Sequence, residues 1–410
     1  MRSPRFAARR RLPRWSLLAL TLASATALGA ATLRAQAPIA PFKAGDRYFF
    51  VGSDSALYVR DGRNGRPWLL LPAGSYATVS PSPNGAYLAY ALPSAGTSTQ
   101  LRIRDVRAAR DVNEAIPHGR LSRNAWTRNN RGFLYVRVDT ATNRERIYYH
   151  AVGTPSGQDG IVYSRQDQPD WSYRVRVSDD GQFGVITVHH PVDDNERLYF
   201  IDFDNPGKPT LDAPVVKMID EFSTKYTFVD NGGNAFFLLT TRDAPNGRLV
   251  IANTEVTRES RWTTIIPQSA DTLVMARTAG ETYIVTTSYG AGGSVVRVYA
   301  PPTDRELRAE YQRMMDSARK AHERDRNRGG APPQQGTTVR AIARGDYPMF
   351  RLNLKAQVPL PAGGRVIDMT SMADDEELFY TVQFADGSRQ SFMYNVKTAA
   401  NTYVNTTVPK

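Results

Sequence analysis

The 410-residue sequence contains no cysteine, and this absence excludes several kinds of chemistry at once. Disulfide bonds, thiol nucleophiles and thiolate metal sites all need a cysteine sulfur. Histidine is scarce, with five residues, and no G-x-S-x-G nucleophile elbow occurs. GTSTQ at 96–100 and GGSVV at 292–296 each lack the final glycine of that motif. The sequence therefore gives no indication of a hydrolytic centre.

Long hydrophobic runs are also scarce, and the one that could cross a membrane lies near the N-terminus. An arginine-rich stretch through Arg14 precedes the uncharged segment WSLLALTLASATALGAATL, and the small residues Ala35-Gln36-Ala37 follow. This order is typical of a secretory signal peptide, so we predict that residues 1–37 direct export to the periplasm or the medium. An uncleaved membrane anchor is the alternative, because nineteen uncharged residues just span a bilayer.

The net charge of +12 is unevenly distributed along the chain. Residues 1–37 hold seven arginines and no acid, and removing these seven charges leaves +5 for the remaining 373 residues. Most of the basic surplus therefore belongs to the predicted export signal, and a nucleic-acid partner is not predicted.

The most informative feature of the sequence is a repeat of forty to fifty residues. VSPSPNGAYLAYAL at 79–92, VSDDGQFGVITV at 177–188 and FVDNGGNAFFLLTT at 228–241 each join a polar turn to an apolar, strand-like run. Seven such turns are present, centred on Gly45, Gly85, Gly132, Gly181, Gly233, Gly280 and Asp375. A second strand-like run follows each turn, at 56–61, 101–105, 146–150, 197–202, 248–252, 294–299 and 391–395.

Repeats at this spacing are typical of four-stranded antiparallel blades arranged in a ring. Asn, Asp and Gly suit the hairpin turns, and runs of Val, Tyr, Phe and Ile suit half-buried strands. We therefore predict an all-β fold, a seven-bladed β-propeller over residues 42–410. An irregular pair of β-sandwiches is the alternative.

The last two turns are 95 residues apart, and this long interval locates an insertion at residues 302–345. Thr303 and Glu306 form a capping box at the start of a predicted helix over 303–328. Apolar residues recur there at three- and four-residue steps and form one stripe. We expect this helix to pack on the rim of its own propeller, and docking of another protein is the alternative.

The repeats also resemble a known family. YATVSPSPNGAYLAYALPSAGTSTQLRIRDV at 76–106 is similar to the second blade of the prolyl oligopeptidase family, serine peptidases that cleave short peptides after proline. NAWTRNNRGFLYV at 124–136, QPDWSYRVRVSDDGQF at 168–183 and EELFYTVQF at 376–384 follow in the order of the family. The resemblance extends from near Phe42 to the C-terminus, apart from the insertion.

This resemblance implies a seven-bladed propeller that covers an α/β-hydrolase domain and admits only short peptides to it. Neither of the two pieces that build the hydrolase domain is recognisable in the sequence. We therefore expect a propeller without its own catalysis that binds short peptides or a protein partner, such as a separate hydrolase. A truncated or split serine peptidase is the alternative.

The resemblance also implies three substrate-contacting positions, Leu121, Ser172 and Val192. They correspond to an aromatic residue, a methionine and a cysteine in the family. Smaller side chains bury less apolar area, which weakens binding by roughly 1–3 kcal/mol for each large side chain lost. Ordinary loop and blade positions are the alternative for all three.

The remaining candidate residues do not predict a metal or cofactor site. His150 ends a strand-like run, and the neighbours His189 and His190 should point to opposite faces of one strand, where they cannot readily share a metal ion. The acidic pairs and runs at 193–194 and 374–377 are typical of solvated turns. No glycine-rich phosphate loop precedes a helix, so no cofactor is predicted.

Overall fold

The computed structural model describes residues 40–94, 99–190, 192–327, 351–404 and 406. The predicted signal peptide at 1–37 lies outside the described residues, as does the part of the predicted insertion from residue 328 onward. Within the described ranges, no helix is both long and apolar enough to cross a membrane.

The described residues form an all-β fold in which every sheet is an antiparallel meander of consecutive strands. The first sheet contains β1 (Phe42–Ala44), β2 (Arg47–Val51), β3 (Leu57–Asp61) and β4 (Trp68–Leu71). The second contains β5 (Thr78–Pro81), β6 (Tyr87–Ala91), β7 (Thr99–Asp105), β8 (Arg110–Arg120), β9 (Gly132–Asp139), β10 (Arg144–Ala151) and β11 (Gly160–Tyr163). The third contains β12 (Ser172–Val177), β13 (Phe183–His189), β14 (Glu196–Asp202) and β15 (Val215–Thr224).

Three further four-stranded sheets complete the described part of the chain. The fourth sheet contains β16 (Tyr226–Gly232), β17 (Ala235–Thr240), β18 (Arg248–Asn253) and β19 (Thr263–Ile266). The fifth contains β20 (Thr272–Ala279), β21 (Tyr283–Gly290), β22 (Gly293–Ala300) and β23 (Asn353–Val358). The sixth contains β24 (Arg365–Thr370), β25 (Glu377–Gln383), β26 (Arg389–Asn395) and β27 (Asn401–Tyr403).

Each of the seven predicted repeats forms an antiparallel hairpin. The pairs are β2–β3, β6–β7, β9–β10, β13–β14, β17–β18, β21–β22 and β25–β26. Local turn chemistry explains why the sequence predicts these elements so directly. Gly85 adopts a φ of +68°, and a Cβ atom there would lie 2.4 Å from the carbonyl oxygen of Ala44, so only glycine fits this contact between two turns.

The sheets pack face to face in sequence order, with an apolar core between each pair of neighbours. In one of these cores, Phe236 contacts the rings of Phe183, Phe200 and Phe228 at centroid distances of 4.8–5.2 Å. The sixth sheet packs in turn against the first, where Tyr48 joins a cluster of sixth-sheet side chains. The sheets therefore form a closed ring.

Polar contacts between the first and last sheets close the ring. The Tyr48 hydroxyl donates a hydrogen bond of 2.7 Å to Glu377 Oε2, and Arg63 pairs with the other carboxylate oxygen. Lys43 Nζ lies 2.5 Å from Asp375 Oδ2. Because the first and last sheets share no strand, these side chains and the apolar cluster provide the closure.

One helix, α1 (Asp304–Asn327), interrupts the fifth sheet between β22 and β23. The capping box forms as its sequence predicts, with the Glu306 amide donating to Thr303 Oγ1 and the Thr303 amide donating to Glu306 Oε2. Lys355 of β23 contacts Glu306 at 2.7 Å and links the helix start to the sheet. Leu307 is half-buried and Met315 is exposed.

Candidate functional site

A channel runs through the ring and is lined mainly by the first strand of each sheet. A more polar cavity of about 270 Å³ and a more apolar cavity of about 120 Å³ occupy it. Both are bordered by Arg123, Asn124, Asp179, Thr370 and Ser371, so the two cavities adjoin at these residues.

The strand β12 shows how the sequence builds the channel wall. Tyr173, Val175 and Val177 alternate along it and are buried in the core between neighbouring sheets. Arg174 and Arg176 fall between them and border the polar cavity. The two-residue period of a strand therefore places the arginines on one face and the core side chains on the other, although Val175 and Val177 also border the cavities.

An ion pair crosses the channel between Arg123 and Asp368. Arg123 Nη1 lies 2.9 Å from Asp368 Oδ1, and the backbone amide of Ala40 donates to Oδ2 at 2.8 Å. Burial alone would raise the pKa of Asp368, but the positive charge of Arg123 and these hydrogen bonds hold it below its usual value. Asp368 therefore remains ionised at neutral pH.

Two further arginines, Arg176 and Arg277, lie close to this pair. Arg176 Nη1 donates to the carbonyl of Phe228 at 3.0 Å, and its guanidinium lies over the Phe228 ring. Arg277 donates to the carbonyls of Met369 and Ala276. Burial, followed by repulsion from Arg176, lowers the pKa of Arg277 to about 10. The channel therefore concentrates positive charge at this level.

The acidic side chains Asp179 and Asp230 meet beside these arginines. Asp230 is 1% exposed, and it accepts hydrogen bonds from the Thr278 hydroxyl at 2.8 Å and from the Asp179 amide at 3.2 Å. Burial, followed by the charge of Asp179, raises the pKa of Asp230 to about 7. Burial also raises the pKa of Asp179, although Arg176 opposes the shift. Near neutral pH the pair therefore holds less than its full negative charge.

The more apolar cavity lies toward the turns that join the first and second strands. Its apolar lining consists of Phe42, Ala44, Val79, Pro81, Pro83, Trp126, Val177 and Met372. The indole of Trp126 donates to the carbonyl of Ser80 at 2.8 Å, which fixes the ring against the wall. Three cations border this cavity and are paired, Lys43 with Asp375, Arg128 with Asp374 and Arg123 with Asp368.

The three positions implied by the resemblance lie at the opposite end of the ring. Leu121 is 7% exposed and belongs to an apolar core, and Ser172 starts β12. Val192 is 84% exposed in the turn between β13 and β14. Arg120 and Tyr173 are the sequence neighbours of Leu121 and Ser172. Arg120 Nη2 donates to the carbonyl of Tyr173, so the chain segments that hold the two positions are in contact. None of the three borders either channel cavity.

His150 and His189 are engaged in polar contacts of their own. His150 is fully buried, with Nδ1 2.9 Å from Asp159 Oδ1 and Nε2 2.9 Å from Glu114 Oε2. Arg174 Nε donates to His189 Nε2 at 2.8 Å, and burial lowers the pKa of His189 to about 4. In the described part of the chain, no group of three His, Asp or Glu side chains is arranged to hold a metal ion.

Sequence reasoning did not identify the channel residues. The alternation of arginine and valine in YRVRV was a usable signal, because charged side chains at every second position of a first strand face a polar space. Arg123, Asp230, Arg277 and Asp368 each occur in a different local context. Only the ring brings them together.

Comparison with known proteins identifies similar sequences and folds. Residues 74–404 match the family model of the prolyl oligopeptidase N-terminal β-propeller domain. A prolyl endopeptidase of Elizabethkingia meningoseptica is 25% identical over 256 residues, which are 57% of this chain and 35% of that protein. Prolyl oligopeptidase A of Galerina marginata is 25% identical over 211 residues, which are 45% of this chain and 28% of that protein.

Solved structures show the same likeness of fold. A chain from a structural study of two prolyl endopeptidases superposes with a TM-score of 0.66 at 19% identity, covering 89% of this chain and 49% of that chain. Prolyl oligopeptidase B from Galerina marginata gives a TM-score of 0.65 at 17% identity, covering 90% of this chain and 50% of that chain. This chain thus spans about half the length of the solved structures and 28–35% of the length of the two relatives above.

Proposed function

The chain belongs to the prolyl oligopeptidase family through its N-terminal β-propeller domain, and from this premise we propose that it binds short peptides in its channel. The observation that carries the proposal is that the polar and the apolar cavity adjoin, with five lining residues in common. A peptide offers both polar backbone groups and apolar side chains, and these cavities have complementary partners for each. In this proposal the propeller has no catalysis of its own.

We propose seven blades for this propeller, two of which share the seven-stranded sheet. Strands β8 and β9 pair only through Gly119 with Arg137 and Arg120 with Val136, whereas paired strands within a blade share longer ladders. Ala125 hydrogen-bonds to Leu134 and so provides the first strand for β9. An apolar core also lies between the two halves of this sheet, as it does between neighbouring blades.

The contacts of the buried histidine support a role in binding rather than catalysis. A hydrolytic base needs a free ring nitrogen within reach of a nucleophilic hydroxyl. Both ring nitrogens of His150 face carboxylates, and the low pKa of His189 accompanies a hydrogen bond received from Arg174. The polar partners of the two imidazoles are carboxylates and Arg174 rather than serine hydroxyls.

A second candidate is a serine peptidase whose hydrolase domain lies in another polypeptide or in further sequence. The greater length of the relatives favours it, because this chain spans only part of them. A hydrolase would dock at the end of the ring that carries Val192. The exposed side chains of Lys225 and Asp194 form an ion pair of 2.9 Å near that end, and such a paired, charged surface favours a separate binding module.

Fluorescence polarisation with a fluorescein-labelled octapeptide that contains a central proline tests the proposal. Ser371 borders both cavities, so Ser371→Trp should fill their junction and abolish binding. Ser388→Trp is the matched control, because Ser388 lies in the exposed turn between β25 and β26. No binding to the unmodified protein, or equal binding to the Ser371→Trp variant, would refute a peptide-binding channel.

The same preparation tests whether the chain has catalysis of its own. We expect no turnover of a chromogenic peptide with proline before the scissile bond, and no labelling by a serine-reactive fluorophosphonate. Turnover or labelling by the purified chain would refute a propeller without its own catalysis.

We also propose export to the periplasm or the medium, which follows from the order of charged, apolar and small residues in 1–37. Cell fractionation combined with N-terminal sequencing tests it. A chain recovered from the cytoplasm with residues 1–37 intact would contradict export.

A further inference from the structure

Two arginines of the channel lack a carboxylate partner among the described residues. All the hydrogen bonds of the Arg176 and Arg277 side chains go to backbone carbonyls, those of Phe228, Met369 and Ala276. Guanidinium groups in such surroundings leave N–H donors available to an anionic ligand.

The local charge balance also favours an anion. Arg123 lies close enough to Arg277 for the two charges to repel, and Arg176 repels Arg277 more strongly. Asp368 compensates one of these three positive charges through its pair with Arg123. A bound anion would lower the remaining repulsion, and the partial burial of the site would strengthen the attraction.

The acidic pair beside the arginines attracts them but forms no hydrogen bond with them. Arg176 interacts favourably with the charges of Asp179 and Asp230, and Arg277 with that of Asp179. Asp230 directs its oxygens to the Thr278 hydroxyl and the Asp179 amide. Asp179 accepts hydrogen bonds from the Asn124 side chain and the Ala373 amide. The N–H groups of Arg176 and Arg277 therefore have no carboxylate acceptor among the described residues.

The apolar cavity defines what lies next to the anion. Arg123 borders both cavities, so an anion at the arginines has the Trp126 wall as a close neighbour. The C-terminal residue of a peptide carries its carboxylate and its side chain on the same Cα atom. A single C-terminal residue can therefore place its carboxylate at the arginines and its side chain in the apolar cavity.

We propose that the channel binds the free C-terminal carboxylate of a short peptide through Arg123, Arg176 and Arg277, with the last apolar side chain in the Trp126 cavity. This inference rests on the proposed peptide-binding function and specifies which end of the peptide is recognised. Bidentate guanidinium–carboxylate contacts are among the strongest hydrogen bonds in proteins.

Three fluorescein-labelled pentapeptides that end in leucine test the inference by polarisation. The first has a free C-terminus, the second is the C-terminal amide, and the third is the amide with an internal glutamate. Loss of charge-assisted hydrogen bonds should weaken binding of the second peptide by about 10- to 100-fold relative to the first. The third peptide should bind as weakly as the second.

Each outcome decides a different claim. Equal affinity for the free acid and the amide would overturn the inference and leave peptide binding in the channel intact. Recovery of affinity in the glutamate peptide would overturn recognition of the chain end in favour of an acidic side chain. No binding of any of the three peptides would refute the proposed function itself.

Variants locate the carboxylate within the channel. Arg176→Gln and Arg277→Gln should each lower the acid-to-amide affinity ratio toward one, whereas Arg297→Gln should leave it unchanged. Arg297 is the matched control, because it is half-buried on β22 and borders neither cavity. An unchanged ratio in both channel variants would overturn the assignment, and the peptide comparison on the unmodified protein decides the inference even if a variant does not fold.

Discussion

Replacement of Glu377 by glutamine should weaken the closure of the ring. The Glu377 side chain is largely buried, and its two oxygens accept hydrogen bonds from the Tyr48 hydroxyl and from Arg63. A glutamine of the same shape keeps one oxygen but places an NH2 group opposite one of these donors. The substitution therefore removes the negative charge and leaves one donor without an acceptor.

The expected destabilisation is about 2–3 kcal/mol. A hydrogen bond to a charged group contributes about 1.5–3 kcal/mol, and the Tyr48 contact at 2.7 Å is buried, so it should contribute in that range. The Arg63 side chain is 52% exposed, and solvent screening reduces its share to a few tenths of a kcal/mol, within the range for surface pairs. The Tyr48→Phe variant should couple to Glu377→Gln by about 1 kcal/mol, because both changes remove the same contact.

Equilibrium unfolding in guanidinium chloride measures this effect. Glu376→Gln is the control, because Glu376 is the sequence neighbour and pairs on the surface with Lys397 at 2.6 Å. We expect the control to unfold like the unmodified protein. A loss below about 0.5 kcal/mol for Glu377→Gln, or full additivity with Tyr48→Phe, would refute the view that this buried contact closes the ring.

Three further predictions concern the core and two buried titratable groups. Phe236→Ala should cost about 3–5 kcal/mol of unfolding free energy, because the ring is fully buried among three aromatic neighbours; a loss under 1 kcal/mol in guanidinium chloride would contradict this packing. Burial would lower the pKa of His150, but its two carboxylate partners outweigh burial and raise it. Its stabilisation is therefore complete below the unfolded-state pKa of about 6.5 and is lost as the pH rises through the folded-state value. The loss of unfolding free energy caused by His150→Phe, measured by unfolding at several pH values, should therefore become smaller as the pH rises. A loss that does not depend on pH would count against the ion pairs. Asp230 behaves oppositely to an ordinary carboxylate, because its folded-state pKa of about 7 exceeds the unfolded value of about 3.9. As the pH rises between these two values, the unmodified protein should lose stability, and Asp230→Asn should remove that loss. Parallel curves of melting temperature against pH for the two proteins would disprove this contribution of Asp230.

Much of the fold was predictable because the relevant signals are local. The turn at Gly85 and the alternation in the strands on either side specify a hairpin within about twenty residues, and six other units repeat the pattern. The capping box at Thr303 likewise specifies the helix start. The resemblance to the prolyl oligopeptidase family was confirmed by the family match over residues 74–404. The substrate-contacting roles of Leu121, Ser172 and Val192, the export of the chain and its partners remain predictions.

Contacts between residues that are distant in the sequence could not be predicted in the same way. His150 ends a strand-like run, and nothing near it in the sequence indicates that Glu114, 36 residues away, contacts its ring. The closure contact between Tyr48 and Glu377 spans 329 positions. Such pairs depend on which strands the ring places opposite one another.

The amino-acid sequence by itself determined the strands, their turns and the sequential order of the hairpins, because turn propensity and two-residue periodicity act between near neighbours. The tertiary structure alone decided which charges share the channel and which of them remain unpaired. Electrostatic interactions depend on distance and burial rather than on position in the chain, so Arg123, Arg176 and Arg277 influence one another only when the ring is closed.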